Sequence, residues 1–324
     1  VFELVYSLPE EIETALEIAR LSLIRTRTVK QLVICGMGGS GIGGELLSGI
    51  YGQDIRIPVI TIKDYRLPAS VNRDTLVILV SYSGNTEETL SDFAAARQKK
   101  CATVIVSSGG RLARLHGAGN AIIIPGGLPP RAAIGYLFTP LPFILWRFGL
   151  IADPYPSLGR MVVFLKKQRK QVTPVASKLA RWLYGFLPVI YSNSPAYHPV
   201  AYRWRCQFNE NSKVFAHSHA IPEMNHNEIV GIGRARKVAR LTKIVFLDDP
   251  GANPRNTKRV KITEQLVGRE TAGVRHFKGL GSTLLERAFY LIWLGDFTSV
   301  YLARLERVDP LPVKRIETLK ARLK

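Results

Sequence analysis

The sequence predicts an α/β fold of two doubly wound parallel-sheet domains in tandem. Three observations lead there. The chain has 324 residues, more than one ordinary domain and about right for two of typical size. Its first half alternates short, nearly continuous apolar runs, suited to strands covered on both faces, with segments of helical period. A stretch bearing Pro, Ser and Gly then interrupts the alternation, which restarts beyond it. Strand, helix, strand repeated in this way specifies a parallel sheet with helices on both faces.

In chain order, strands are expected at 31–35, 57–62, 75–80, 102–106 and 121–124, runs dominated by apolar and β-branched residues. Helices are expected between them at 9–24, 42–50, 86–99, 111–116 and 131–148. The third opens on Thr86, Glu87 and Glu88, acids near the positive end of a helix. Residues 151–159, with Pro154 and Pro156 beside Ser157 and Gly159, read as a linker, which sets domain limits at 1–152 and 153–324. The second domain is expected to run helix 172–184, strand 188–192, helix 196–209, strand 242–247, helix 256–267, strand 273–277 and helix 282–297. A C-terminal helix over 311–324 closes it.

Hydrophobic residues at 46% and charged residues at 22% exclude a disordered or low-complexity chain. The charge is less ordinary. With 45 Lys+Arg against 25 Asp+Glu the formal net is +20, which invites nucleic acid, an anionic membrane or an acidic substrate as partner. Residues 1–160 hold 16 basic and 13 acidic residues, whereas 161–324 hold 29 and 12. The basic residues of the second half are scattered rather than interleaved with aromatics in a recognisable module, so no nucleic-acid partner is expected. No apolar stretch reaches the roughly 18 residues of a spanning helix, and the N-terminus has no leader pattern. A cytoplasmic protein with no membrane partner is the expectation. Cys35, Cys101 and Cys206 are odd in number and widely spaced, which suits neither a disulfide framework nor a metal pair. None of them is assigned chemistry.

Residues 36–44 follow the first strand and contain six glycines in nine positions. Gly36, Gly38 and Gly41 satisfy G-x-G-x-x-G, and Asp64 closes the next strand, so an NAD(P)-dependent oxidoreductase is one reading. The physics is more general: glycines allow a tight turn, and amides at a helix N-terminus hold phosphate oxygens. A turn needed only for strand–helix packing is the bland alternative. The end of the third strand is more discriminating. Ser81, Ser83 and Thr86 offer three hydroxyls beside another helix N-terminus, a cage for one phosphate monoester. A dinucleotide needs no second cage, and an ordinary N-cap accounts for Thr86 but not for Ser81 and Ser83.

Together, residues 36–44 and 81–89 resemble the sugar isomerase (SIS) domain family, and the tandem arrangement resembles the phosphoglucose isomerase superfamily. Residues 107–112, 129–133 and 208–213 are similar to the archaeal bifunctional phosphoglucose/phosphomannose isomerases, a resemblance spanning nearly the whole chain. It implies two SIS-type domains, a sugar-phosphate substrate, no cofactor, no metal and a homodimer. Gly39, Ser40, Ser81, Ser83 and Thr86 would then bind the substrate phosphate. SIS domains also serve non-catalytic sugar-phosphate sensors, but those usually add a helix-turn-helix module, and none is found in this sequence.

Aldose–ketose isomerisation moves a proton between adjacent carbons through a cis-enediol(ate). It needs a base, a positive group facing the enediolate and an acid that opens the sugar ring. Glu210, between Asn209 and Asn211, is similar in position to the family's general base. The resemblance gives Arg131 the enediolate-facing role and His226 the ring-opening role, the histidine reaching the site from the partner subunit. Lys320 matches a lysine of the C-terminal helix that assists at the ring oxygen; five of residues 314–324 are basic, so a solvated helix face is its rival reading. Val313 stands where some relatives carry a threonine, which leaves the preference between glucose and mannose phosphates open. His217, His219, Glu223 and His226 have a spacing able to chelate a metal, as in cupin-type isomerases, but those ligands sit on barrel strands, whereas this stretch is read inside an α/β half with Pro222 starting a helix. His217 and His219 are read as surface histidines.

Overall fold

The computed structural model describes residues 1–116 and 120–323, and among these nine strands form two wholly parallel sheets. Lys324, with which the terminal helix was expected to end, lies outside the described residues. The chain divides into one unit of Tyr6–Lys167 and another made of Val1–Val5 with Gln168 onward.

In the first unit, β1 (Gln31–Cys35), β2 (Val59–Ile62), β3 (Thr75–Val80), β4 (Ala102–Ser107) and β5 (Ala121–Ile123) stand in the order β2-β1-β3-β4-β5. Val33 pairs with Ile60 on one side and Val77 on the other. Every position of β3 is buried, the physical reason its sequence is unbroken in apolar residues. Val33, Val77, Leu79 and Ile105 pack on one face of this sheet with Phe93 and Ala96 of the helix Glu87–Gln98. All five apolar runs are strands, but β2 begins at Val59 because Pro58 has no N–H; its carbonyl still accepts from the Leu32 amide at 2.9 Å.

Two expectations need correction here. The helix read over 131–148 is three pieces, Pro130–Ala132, Ile134–Phe138 and Pro140–Arg147, the last opening on the proline that cannot continue the one before. The stretch read as a linker opens a 29-residue helix, Tyr155–Leu183, with Pro156 and Gly159 in its first turns. Proline is tolerated there because the first N–H groups of a helix have no internal partner. Leu158, Met161, Val162 and Leu165 then supply a buried stripe at helical spacing.

In the second unit, β6 (Leu187–Ser192), β7 (His217–Ala220), β8 (Thr242–Asp248) and β9 (Gly273–Lys278) stand in the order β7-β6-β8-β9. Edge strand β7 was not expected: its His-Ser-His-Ala sequence is half-buried throughout and carries no alternation. Tyr191, Phe246 and Val260 belong to a core on this sheet. The helix Leu284–Leu305 is buried on nearly all sides, and its start is fixed by a capping box between Thr283 and Glu286. It extends eight residues past the expected end. Gly295 lies on it where a Cβ would fall 2.2 Å from the Trp204 indole nitrogen, so the small residue lets Trp204 reach the Leu291 carbonyl at 2.8 Å.

Candidate active site

In the first sheet β1 neighbours both β2 and β3, the arrangement that opens a ligand crevice beyond the carboxyl ends of β1 and β3. The two candidate phosphate loops leave those strand ends. Gly38, at φ +50°, starts the helix Gly38–Tyr51. A Cβ at Gly39 would fall 2.7 Å from the Pro130 carbonyl oxygen and 3.1 Å from the Arg131 nitrogen. The bare backbone at Gly39 is therefore what allows the Pro130–Ala132 turn, which carries buried Arg131, to lie against the glycine turn. Ser40 is buried and its Oγ accepts from the Tyr82 amide at 3.1 Å, tying the two loops together.

Ser81 is fully buried, and its hydroxyl meets the Thr86 hydroxyl at 2.9 Å while accepting from the Gly84 amide at 3.1 Å. Thr86 occupies the N-cap position of Glu87–Gln98 yet makes no side-chain capping bond. Ser83 is exposed, with Oγ accepting from the Asn85 amide at 3.2 Å. The 107–112 segment is the brace beneath this loop. The Ser108 hydroxyl donates to the Tyr82 carbonyl at 2.6 Å, and Asn85 Oδ1 accepts from the Arg111 amide at 3.0 Å. Glu11, buried on the helix Leu8–Leu21, accepts from the Gly135 amide at 3.2 Å just beyond the Arg131 turn.

In the second unit Glu210 is half-buried in a π-helical turn, Phe208–Ser212, that continues the helix His198–Gln207. A buried polar network underlies that turn. Arg203 binds Asp296 through Nε at 3.0 Å and Nη2 at 2.6 Å, and Gln207 donates to the same carboxylate at 2.8 Å. Burial pushes the Asp296 carboxyl up and Arg203 opposes it. Asn211 donates to the Ser299 hydroxyl at 2.9 Å, and the Ser212 hydroxyl to the Ser299 carbonyl at 2.7 Å. Lys213, at φ +57°, ends the turn and donates to the carbonyls of Glu210 at 2.5 Å and Pro312 at 2.8 Å. Glu210 thereby lines a pocket of about 690 Å³ with Asn209, Phe215, Val313 and Lys314.

The remaining candidates stand apart from that pocket. Lys320 is exposed on the helix Lys314–Arg322 and is not among the pocket's lining residues. His226 is exposed at the end of the turn Glu223–His226, also outside it. His217 keeps 40% of its side chain exposed and is also paired. Its Nε2 lies 2.5 Å from Glu228, whose other oxygen accepts from the Tyr191 hydroxyl at 2.9 Å. Burial raises the Glu228 pKa, but these two hydrogen bonds outweigh it and hold it below the ordinary value. The pair ties the segment after His226 to β6 and β7. His219 stacks on His217 with ring centres 6.3 Å apart. Among the described residues no group of three or more His, Cys, Asp or Glu is placed to hold a metal ion.

At the matching strand ends of the second unit, asparagine side chains bind the loop amides. Asn193 Oδ1 accepts from the Asp249 amide at 2.8 Å, and Asn253 caps the helix Pro254–Val267 through the Arg255 amide at 2.9 Å. Buried Asp249, with Arg287 3.9 Å from its carboxylate, also stands where the first unit has hydroxyls.

Sequence reasoning missed Glu11, Lys213, Glu228 and Asp296. Glu11 and Asp296 had a signal, an acid on the buried stripe of an otherwise apolar helix face; Lys213 and Glu228 act through contacts no spacing reveals.

Comparison with known proteins agrees with this architecture. A bifunctional phosphoglucose/phosphomannose isomerase of Caldicellulosiruptor bescii is 40% identical over 333 residues, covering 99% of this chain and 98% of the relative. The chain belongs to the bifunctional phosphoglucose/phosphomannose isomerase family. Another member, from Thermoplasma acidophilum, is 38% identical over 97% of this chain and 96% of its own. Residues 173–323 match the bacterial phospho-glucose isomerase C-terminal SIS domain. Among solved structures, the C-terminal domain of glucosamine-fructose-6-phosphate aminotransferase from Francisella tularensis shares the fold at a TM-score of 0.71 and 14% identity, over 94% of this chain and 96% of that one. Tagatose-6-phosphate ketose/aldose isomerase from Escherichia coli does so at 0.68 and 13%, over 93% and 91%.

Proposed function

We propose that the chain is an aldose–ketose isomerase that interconverts glucose 6-phosphate and mannose 6-phosphate with fructose 6-phosphate. The observation that carries the reading is the uncapped helix start at Thr86, ringed by the hydroxyls of Ser81 and Ser83 and tied through Ser40 to the glycine turn. Helix-end amides and hydroxyls in that arrangement suit a phosphate monoester. Membership of a family whose curated members bear that bifunctional name supplies the substrate class.

In this reading the first unit holds the phosphate, through Gly39, Ser40, Ser81, Ser83 and Thr86. Glu210 takes the proton from C2 of the open-chain aldose and returns it to C1, so no external oxidant or reductant enters. The proton moves, and the electron pair it leaves forms the enediol(ate) double bond. Arg131 steadies the charge that develops on the enediolate oxygens. His226 and Lys320 serve ring opening. The exposure of His226, which is not among the residues lining the Glu210 pocket, supports donation to a second copy of the chain, hence a homodimer. The reaction requires no cofactor, and a cytoplasmic setting fits its substrates; no described helix is long and apolar enough to cross a membrane.

A coupled assay with glucose 6-phosphate and mannose 6-phosphate, run with and without a chelator, tests the reading. Turnover of both, unchanged by chelation, is the expected result; binding without turnover would make the chain a sugar-phosphate sensor. Mixing inactive Glu210→Gln and His226→Ala proteins should restore part of the activity if the histidine crosses between subunits. No restoration would refute the crossing.

A further inference from the structure

The second unit carries another cavity, of about 930 Å³, whose wall gathers Arg234, Arg236, Arg240 and Arg269 with one acid, Glu270. Among the described residues none of these four guanidinium groups makes an ion pair or side-chain hydrogen bond within the chain. Four like charges around one cavity repel each other, and among the described residues no ion pair offsets them. Arg236 opens the short helix Arg236–Ala239 and Arg240 is its C-cap residue, still in helical backbone four positions on, so the two share a face, while Arg269 comes from the turn Gly268–Glu270. Gly233 stands at φ +88°, and a Cβ there would fall 1.3 Å from Glu270 Oε2, so the Glu270 carboxylate rests on bare backbone. It lies beyond ion-pair reach of the arginines, and the cavity keeps a surplus of positive charge.

We propose that this cavity binds an organic polyphosphate, a di- or triphosphate attached to a ring system. The guanidinium fork matches phosphate oxygens in pairs, and four forks suit a chain of phosphoryl groups better than one monoester. Val230, 76% exposed, and Ile232 line the same cavity and offer an apolar surface to the ring. Glu270 is placed to accept from a hydroxyl or amino group. The volume falls within the range of small-molecule sites. The site shares no residue with the Ser81–Thr86 cradle and does not depend on the sugar-phosphate reading.

Titration calorimetry on the full chain tests it, with ATP, inorganic tripolyphosphate and adenosine as probes at low and moderate salt. One equivalent of ATP is expected to bind, with adenosine silent. Arg236→Glu/Arg240→Glu should weaken it at least tenfold, and the single Arg269→Gln severalfold, which keeps the test valid should the double variant fail to fold. Ser83→Ala/Thr86→Ala and Arg255→Ala/Lys258→Ala, altered elsewhere, should bind as the parent does. Tripolyphosphate binding as tightly as ATP would support the phosphate site and assign its ligand to the inorganic source. No saturable binding of either polyphosphate, binding indifferent to the arginine variants, or binding lost with Ser83 and Thr86 would each overturn the proposal.

Discussion

The hydroxyls of Ser81 and Thr86 meet at 2.9 Å, and so the threonine at the N-cap position of Glu87–Gln98 leaves the helix start without a side-chain cap. A residue retained only as a cap would bond to the amide two or three positions on. Thr86→Ala is therefore expected to raise KM for glucose 6-phosphate about tenfold or more, the loss of one hydrogen bond to a charged group. The melting temperature should move little, and Thr86→Ser should recover the KM. Steady-state kinetics beside a thermal melt check this; unchanged KM with a lowered melting temperature would make Thr86 structural.

Lys213 joins the Glu210 carbonyl to the carbonyls of Pro310 and Pro312, linking the π-helical turn to the segment before the last helix. Lys213→Ala should release both sides. The expected outcome is a fall in kcat larger than any rise in KM, because the base loses its position while the phosphate loops are untouched. Hydrogen exchange should quicken in residues 310–316. Equal effects on kcat and KM, with unchanged exchange, would contradict the assignment.

Asp92 is buried beside Cys35; burial pushes its carboxyl up to about 6, while the hydrogen bond from the Cys35 thiol opposes the rise. An unfolded chain releases that proton near the ordinary ~4. The folded state thus holds more protons between about pH 4 and 6, and the stability tied to this group is fully present below pH ~4 and lost as pH rises through about 6. Asp92→Asn, whose amide oxygen still accepts from the thiol, should be more stable than the parent at pH 7 by about 1–3 kcal/mol. Denaturant melts at pH 4.5 and 7.5 check the sign: the gain should shrink at the lower pH.

The fold was legible where apolar burial leaves an unbroken signature. β3 is covered on both faces and could be nothing but an inner strand, whereas β7, half-buried and built of His-Ser-His-Ala, has no period to read. Pro156 and Gly159 looked like a linker because proline marks both loop and helix start, and only the buried stripe of Leu158, Met161 and Leu165 decides between them. The phosphate loops were legible because their chemistry is local: glycines and hydroxyls follow strand ends within nine residues. The support of Glu210 was not, since Arg203 and Asn211 meet Asp296 and Ser299 of the helix Leu284–Leu305, far along the chain. Likewise no local signal marks His217 as the partner of Glu228.

The central claim is that Glu210 moves the proton between C1 and C2. Glu210→Gln keeps the shape of the side chain and removes the base, so its turnover of glucose 6-phosphate, together with solvent deuterium incorporation into the product, tests the claim most directly. The account expects kcat to fall by about 10²–10⁴ and deuterium exchange to cease, with the melting temperature and substrate binding retained. Wild-type turnover by the Glu210→Gln protein would contradict it.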